Sequence, residues 1–165
     1  MARRTPDVNS VAVYKEIAND FSHPREMLKE AISNSIDAGA EHVDIEIKFN
    51  EKSRALDMII KDDGHGMDNK TIGYLFSLGF SKKRGGSTPS IGSKGHGAKT
   101  FLRSKKIDVR TSTGKSSLRA VMDNPLEFLT SDSKEFPTYE VLKLKEKILM
   151  GTEIRETGVD FDDIT

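Results

Sequence analysis

The sequence contains no cysteine and no tryptophan, and its 26 basic residues are balanced by 26 acidic ones. Without cysteine, disulfide frameworks and thiolate metal sites are excluded. No apolar run approaches the roughly 18 residues of a membrane-spanning helix, and no apolar signal-peptide core follows Met1. The balanced charge predicts no general attraction to nucleic acid. We therefore expect a folded, soluble protein of the cytoplasm, or of the nucleus in a eukaryote, without a membrane partner.

The first half of the chain predicts three helices and a β-hairpin. Apolar residues at helical spacing cover 10–21 and 24–38, and Asp68 is placed to cap a third helix. Between them, two alternating segments with a polar connection predict a hairpin with one buried face. The apolar residues of the first hairpin strand are Val43, Ile45, Ile47 and Phe49, and those of the second are Leu56, Met58 and Ile60.

The second half begins with a long loop over 79–97 that is crowded with glycine, serine and lysine. Loops of this length in a compact domain are typically binding loops or lids. Residues 98–103 have helical character, and strands are expected near 107–112, 117–122, 139–144 and 152–155. Helices and strands in separate stretches predict an α+β fold, a two-layer sandwich with a mainly antiparallel sheet and helices on one face.

Three polar side chains of the second predicted helix fall within a narrow arc of its surface: Glu30, Asn34 and Asp37. A solvated face of an amphipathic helix is enough to explain this spacing. The alternative is a functional face, with a carboxylate that deprotonates water beside oxygen ligands for a hard cation.

A turn rich in acid and glycine follows the second hairpin strand. Asp62 ends the strand, and Gly64, Gly66 and Met67 come directly after it. A plain turn is one interpretation. A carboxylate beside glycines that admit a flat ligand would also suit an exocyclic amine of a base, with the methionine against its ring.

A third pattern leads from the long loop into the next helix. Its glycines are Gly92, Gly95 and Gly97. Backbone N–H groups at a helix N-terminus bind anions, and Lys94 and Lys99 add positive charge, so phosphate is the expected ligand. A Walker A loop is not supported because Ala98 separates the last glycine from Lys99, and the G-x-G-x-x-G spacing of a dinucleotide site is missing.

In this order the three patterns resemble the GHKL ATPase superfamily, which has the Bergerat ATP-binding fold and includes the gyrase B subunit, the ninety-kilodalton heat-shock chaperone, histidine kinases and MutL. The N box, E-x-x-x-N-x-x-D-A, is matched by Glu30, Asn34, Asp37 and Ala38. The D-x-G-x-G box is matched by Asp62, Gly64 and Gly66, and G-x-x-G-x-G by Gly92, Gly95 and Gly97. Gly151-Thr152 resembles the closing G-T box, and the finer pattern is most similar to MORC-type ATPases and the MutL and chaperone branches.

The resemblance implies ATP and Mg²⁺ as cofactors and a role for each matched position. Glu30 would be the catalytic base, Asn34 the magnesium ligand, and Asp62 the acceptor for the adenine amino group, with Thr152 holding a neighbouring water. The base pocket would be completed by Asp37, Ala38, Gly64, Gly66 and Met67. The residues facing the phosphates would be Gly92, Ser93, Lys94, Gly95, His96, Gly97, Ala98 and Lys99. The segment 79–97 would be the mobile ATP lid.

The activity implied is slow or partner-dependent ATP hydrolysis by a single domain over 1–165, with lid closure and homodimerisation on ATP binding. Residues 1–22 would be a strap to the partner or a helix packed on its own domain. A transducer domain or partner chain is expected because the chain ends soon after Thr152, as a fragment would, and the implied targets are DNA, chromatin or a client protein.

An ATP-binding switch or a histidine or protein kinase-type domain is the alternative, although Glu30 favours hydrolysis. At Asp63 the family commonly has an asparagine, so a second negative charge is expected near the base pocket.

Overall fold

The computed structural model describes residues 8–20, 24–77 and 101–160. The expected lid at 79–97, the phosphate-facing residues and the start of the helical stretch at 98–103 lie outside these ranges. Within them, no helix is long and apolar enough to cross a membrane. The elements in chain order are α1 (Ser10–Asp20), α2 (Pro24–Asp37), β1 (Val43–Asn50), β2 (Ala55–Asp62), α3 (Asn69–Leu75), β3 (Lys106–Ser112), β4 (Ser117–Asp123), α4 (Pro125–Thr130), β5 (Glu140–Lys143) and β6 (Gly151–Val159).

The described strands form one six-stranded sheet in the order β1-β2-β6-β3-β4-β5. All of its neighbouring strands pair antiparallel. Strand β6 is the last of the described strands along the chain but lies between β2 and β3, so it joins the first hairpin to the rest of the sheet. The α+β class with an antiparallel sheet is confirmed.

One face of the sheet forms the apolar core together with the helices. Ile60, Ile154, Val109 and Ala120 lie opposite one another across four neighbouring strands, and all four are buried. The helices contribute buried side chains that include Tyr14, Ala18, Met27, Ala31 and Ile72. The other face of the sheet carries charged residues such as Asp108, Arg119, Glu153 and Arg155. The described residues therefore form two layers, with their helices on one face of the sheet.

Helix α1 packs on its own chain. Tyr14 is 5% exposed, its hydroxyl donates to Phe76 O at 3.2 Å, and its ring meets Phe128 edge to face at 6.0 Å between centroids. Burial raises the pKa of Tyr14 to about 12. The helix therefore links α3 and α4 on the core side of the sheet.

The helix α4 was not predicted from the sequence. It has only six residues, too few to show helical periodicity, and it starts at Pro125, after Asn124 with φ of 53°. Strand β6 is longer than the predicted 152–155 because Glu156 interrupts its apolar alternation although the strand continues to Val159. Residues 101–103 form one 3₁₀ turn.

The prediction that the hairpin buries its apolar face is wrong for β1. Ile45, Ile47 and Phe49 are 40%, 46% and 53% exposed, whereas Met58 and Ile60, opposite them on β2, are 0% and 3% exposed. Strand β1 is at the edge of the sheet, and the exposure of its apolar side chains shows that the described helices do not cover them. Alternation indicates which residues share a face, but the face is buried only where another layer covers it.

Candidate functional site

Helix α2 presents the expected polar face to one side of the site. An adjacent side of the helix is anchored in the core by Met27 and Ala31, which are 1% and 2% exposed. Glu30 and Asp37 are half-buried and Asn34 is exposed. The periodicity of the helix therefore separates a core side from a side on which two carboxylates and an amide are accessible.

The end of α2 is held against the turn after β2. Gly39 has φ of 71° and the N–H of Ala40 donates to Ser35 O at 3.0 Å, which together terminate the helix. Ala38 O accepts from the N–H of His65 at 3.0 Å. A Cβ on Gly64 would lie 2.8 Å from the Cβ of Ala38. Both positions therefore require small residues.

The carboxylate of Asp62 is oriented by two hydrogen bonds at the end of β2. Its Oδ1 accepts from the N–H of Gly64 at 3.0 Å. Its Oδ2 lies 3.1 Å from the Ser35 hydroxyl. That hydroxyl is also 3.0 Å from Ala31 O, so its single proton is shared between two acceptors. These contacts hold the half-buried carboxylate in place and leave further lone pairs for a ligand.

Two close backbone approaches define the floor of the site. Gly66 has φ of 66°, and a Cβ there would overlap Ser112 O at the end of β3. Gly151 has φ of 134°, and a Cβ there would overlap Asp62 O. Each glycine thus brings the end of one strand or turn into contact with another, and each also has a backbone conformation that other residues avoid.

A row of three polar side chains lies beside these glycines. Asp62 of β2, Thr152 of β6 and Thr111 of β3 are directly opposite one another in the sheet, which places their side chains next to each other on the core face. The Thr111 and Thr152 hydroxyl oxygens are 3.0 Å apart, and Thr111 Oγ1 accepts from the N–H of Met67 at 2.8 Å. Met67 is half-buried against the core.

The proton of Thr111 determines what Thr152 offers to a ligand. Thr111 Oγ1 is 3.1 Å from Gly151 O. When Thr111 donates its proton there, Thr152 becomes the donor to Thr111, and the lone pairs of Thr152 remain available as acceptors.

Ser35 and Thr111 were not predicted as site residues. Their partners Asp62 and Thr152 are 27 and 41 positions away in sequence, so no short motif contains either pair. For Ser35 one signal was present: it is a hydroxyl on the same side of α2 as the apolar Met27 and Ala31, where a polar group needs a partner.

The charge of Asp63 is held on the connection between α2 and β1. Its Oδ1 accepts from the N–H groups of Glu41 and His42 at 2.8 and 2.9 Å, and its Oδ2 is 3.0 Å from Nδ1 of His42. Backbone and side-chain hydrogen bonds from His42 lower the pKa of Asp63 to about 2. The carboxylate expected near the base pocket therefore anchors a loop.

The described residues include no cluster of three or more histidine or acidic side chains that would hold a metal ion by itself. Gly92, Ser93, Lys94, Gly95, His96, Gly97, Ala98 and Lys99 lie outside the described ranges. The site that the structure describes is thus the α2 face, the turn after β2, and the adjoining ends of β3 and β6.

Residues 22–152 match the family model of histidine kinase-, DNA gyrase B- and HSP90-like ATPases. The chain belongs to this family of GHKL ATPases. The match spans most of the chain and includes α2, the turn after β2 and the start of β6, whose geometry is described above.

One curated protein and one solved structure are similar to the chain. The chain is 35% identical over 89 residues to Protein MICRORCHIDIA 6 of Arabidopsis thaliana, a match that covers 54% of this chain and 13% of that protein. This agrees with the finer resemblance to MORC-type ATPases. The crystal structure of the N-terminal domain of a DNA repair protein shares the fold, with a TM-score of 0.60 and 16% identity over 89% of this chain and 39% of that one. This GHKL chain therefore spans only part of the length of either relative.

Proposed function

We propose that this chain binds ATP with magnesium where β2, β6 and β3 align Asp62, Thr152 and Thr111, and that it hydrolyses the bound nucleotide. The row of three polar side chains is the observation on which the proposal depends. It combines an oriented carboxylate with two paired hydroxyls beside glycines that admit a flat ligand.

Asp62 is proposed to recognise adenine. A carboxylate accepts hydrogen bonds and suits the amino group of adenine, whereas guanine presents an oxygen acceptor at the corresponding edge. Ser35 and Gly64 hold the carboxylate in place, and Thr152 provides a hydroxyl for a water at the same base edge. Ala38, Gly64, Gly66 and Met67 would line the pocket, with Asp37 in its polar floor.

The exposed face of α2 is proposed to serve the phosphates. Glu30 would align and deprotonate the attacking water, as expected of a carboxylate that is accessible but partly desolvated. The amide oxygen of Asn34 is a hard donor of the kind magnesium prefers, and bound magnesium would neutralise phosphate charge. The family resemblance assigns the remaining phosphate contacts to the backbone of 92–97 with Lys94, His96 and Lys99.

The nucleotide cycle is proposed to drive closure of a lid at 79–97 and homodimerisation, with residues 1–22 contributing to contact with the partner. A transducer domain or partner chain would complete the active assembly, and this assembly would act on DNA, chromatin or a client protein. Turnover by this chain alone would then be slow, because part of the phosphate site would come from outside it.

The test compares two adjacent acids, one inside the proposed pocket and one outside it. A non-hydrolysable ATP analogue is titrated calorimetrically, with and without magnesium, into the 165-residue chain, Asp62→Asn and Asp63→Asn. We expect magnesium-dependent binding that Asp62→Asn weakens at least about tenfold, because its amide can present a donor to the adenine amino group. Asp63→Asn should change affinity by less than about threefold.

Phosphate release on saturating ATP separates binding from hydrolysis. Glu30→Ala should abolish release while the analogue still binds. If the folded wild type binds no analogue, or if both asparagine variants lose affinity equally, the adenine pocket is misplaced. Binding with no release from the wild type would instead support a nucleotide-binding switch, and release unchanged by Glu30→Ala would show that Glu30 is not the base.

A further inference from the structure

Strand β1 leaves an apolar strip at the edge of the sheet. The strip consists of three side chains that are each at least 40% exposed: Ile45, Ile47 and Phe49. Their neighbours Met58 and Ile60 on the same face of β2 are buried. In the part of the chain that the structure describes, no strand pairs with the outer edge of β1. A long edge strand with exposed apolar side chains is a template for pairing with another strand.

The opposite face of β1 carries charges in an ordered pattern. Asp44, Glu46 and Lys48 alternate with the apolar residues, and Lys48 Nζ lies 2.6 Å from Glu46 Oε1. The two side chains of this ion pair are 70% and 53% exposed, so both can reach a neighbouring strand. Ile47 is therefore the centre of the pattern. Glu46 and Lys48 lie one residue to either side of it, and Ile45 and Phe49 lie two residues to either side.

We propose that β1 pairs antiparallel with β1 of a second copy of this chain, with the two-fold axis at Ile47. In this register Ile47 faces its own counterpart, and Ile45 of each copy faces Phe49 of the other. Glu46 of each copy faces Lys48 of the other. Apolar side chains thus meet on one face and opposite charges on the other, and both kinds of cross-strand pair are favourable.

The pattern of β1 selects this register over its neighbours. If one strand slid by one residue relative to the other, the apolar side chains of each copy would lie opposite the charged side chains of its partner. A shift of the axis to Glu46 or to Lys48 would bring two like charges face to face at the axis. Only the axis at Ile47 pairs every charge of Glu46 and Lys48 with its opposite.

A second copy also uses up the exposed edge. In a two-fold symmetric contact, each β1 edge pairs with the other, so neither is left open to a third copy. The two six-stranded sheets become one continuous sheet. The other edge, β5, is only four residues long and carries Glu140 and Lys143, which disfavour further growth. One paired strand is a small interface, so we expect a dissociation constant in the micromolar range, about 1–100 µM.

The dimer is tested by sedimentation of the nucleotide-free chain over a range of concentrations. Lys48→Glu or Glu46→Lys alone would place two like-charge pairs in the interface, and each should raise the dissociation constant about tenfold. The double variant Glu46→Lys with Lys48→Glu restores opposite charges and should recover dimerisation. Lys115→Glu, an exposed charge on the turn between β3 and β4, is the matched control.

Crosslinking tests the position of the axis. The chain has no cysteine, so Ile47→Cys introduces a single thiol that faces its counterpart and should oxidise to a covalent dimer. Phe49→Cys is the control, because its counterpart lies four residues away along the paired strand. Circular dichroism and thermal melting of each variant check that β1 remains folded on β2.

A monomer at all concentrations would overturn the proposal, as would a dimer that forms only with nucleotide. Failure of the charge-swapped double variant to recover, with its fold intact, would exclude this register. Equal crosslinking at positions 47 and 49 would do the same. A dimer that responds to Lys115→Glu as strongly as to Lys48→Glu would place the interface elsewhere.

Discussion

Strand β6 buries two polar residues on the same face of the sheet, and they have opposite surroundings. Thr152, near its start, is paired with Thr111 at 3.0 Å beside the turn of Gly66 and Met67. Glu156, four residues later, is 1% exposed, and neither of its carboxyl oxygens has a hydrogen-bond partner among the described residues. Its cross-strand neighbours are Met58 and Ile107, both fully buried and apolar.

The contrast shows that burial of a polar group does not by itself identify a functional site. Around Thr152, hydroxyls, backbone groups and close glycine contacts form a set whose members position one another. Around Glu156 no described residue compensates the lost hydration of the carboxyl, and desolvation raises its pKa well above the usual range. One end of β6 therefore belongs to an organised candidate site, whereas the buried carboxyl at the other end lowers the stability of the fold.

Gly66→Ala tests how rigidly the Thr152 end is packed. The added Cβ would overlap Ser112 O and would also force alanine into φ of 66°. We expect the free energy of unfolding to fall by about 3 kcal/mol or more. Denaturation in urea measures it. Gly39→Ala is the control, since φ there is 71° but nothing lies within 4 Å of a new Cβ, and its cost should be about 1 kcal/mol. Equal losses would show that backbone conformation, not packing, limits this turn.

Glu156→Met tests how much the buried carboxyl at the other end of β6 destabilises the fold. Glu156 is a buried acid without hydrogen-bond partners in the described ranges, so replacing it by an apolar side chain of similar length should raise the free energy of unfolding by about 2 kcal/mol at pH 7. Glu140→Met, on the exposed strand β5, should leave stability nearly unchanged. A destabilised Glu156→Met protein would mean that the carboxyl has an important partner after all.

The pH dependence of stability has a predicted sign. Because the folded pKa of Glu156 is raised, the folded state binds more protons than the unfolded state above the unfolded pKa of about 4.3. Stability should be greatest below that pH and fall by up to about 1.4 kcal/mol per pH unit as pH rises toward the folded pKa.

Glu156→Gln isolates this contribution, since the difference between wild type and variant cancels other titrating groups. One such group is Asp63, whose lowered pKa has the opposite effect on stability. Its stabilising contribution is present above pH about 3.9, the pKa of an unfolded aspartate, and is lost as the pH falls through about 2. Urea denaturation between pH 4 and 8 should show the wild type losing stability relative to Glu156→Gln. Parallel curves would contradict a raised pKa.

Thr111→Val should have the smallest effect on stability. It removes the acceptor for the N–H of Met67 and the partner of Thr152 while it keeps the side-chain shape, and should cost about 1 kcal/mol. The affinity for an ATP analogue should fall several-fold, because Thr152 loses its orientation. Thr130→Val is the control: it removes an exposed hydroxyl that donates to Leu126 O and Glu127 O within its own helix α4, and it should change neither stability nor affinity appreciably. If Thr111→Val affects stability but not binding, the hydroxyl pair is purely structural.

Much of the site could be predicted because its motifs are local. The arc of Glu30, Asn34 and Asp37 follows from helical periodicity, and the turn after Asp62 follows from the glycines that such a turn requires. Ser35 and Thr111 could not be predicted, because what they do depends on partners brought to them by strand pairing. Helix α4 was missed because six residues show too little periodicity to recognise.

Local spacing along the chain was enough to determine the family and the α+β class. It also predicted Asp62 and Thr152 as residues of a nucleotide site, and the sheet places these two residues opposite each other. Tertiary structure decided that β1 is an edge strand with an exposed apolar face, and that β6 carries Glu156 into the core between β2 and β3. The physical reason is that periodicity determines which side chains share a face, whereas burial depends on which strands and helices come to lie against that face. Those contacts are long-range, and no short segment of the sequence encodes them.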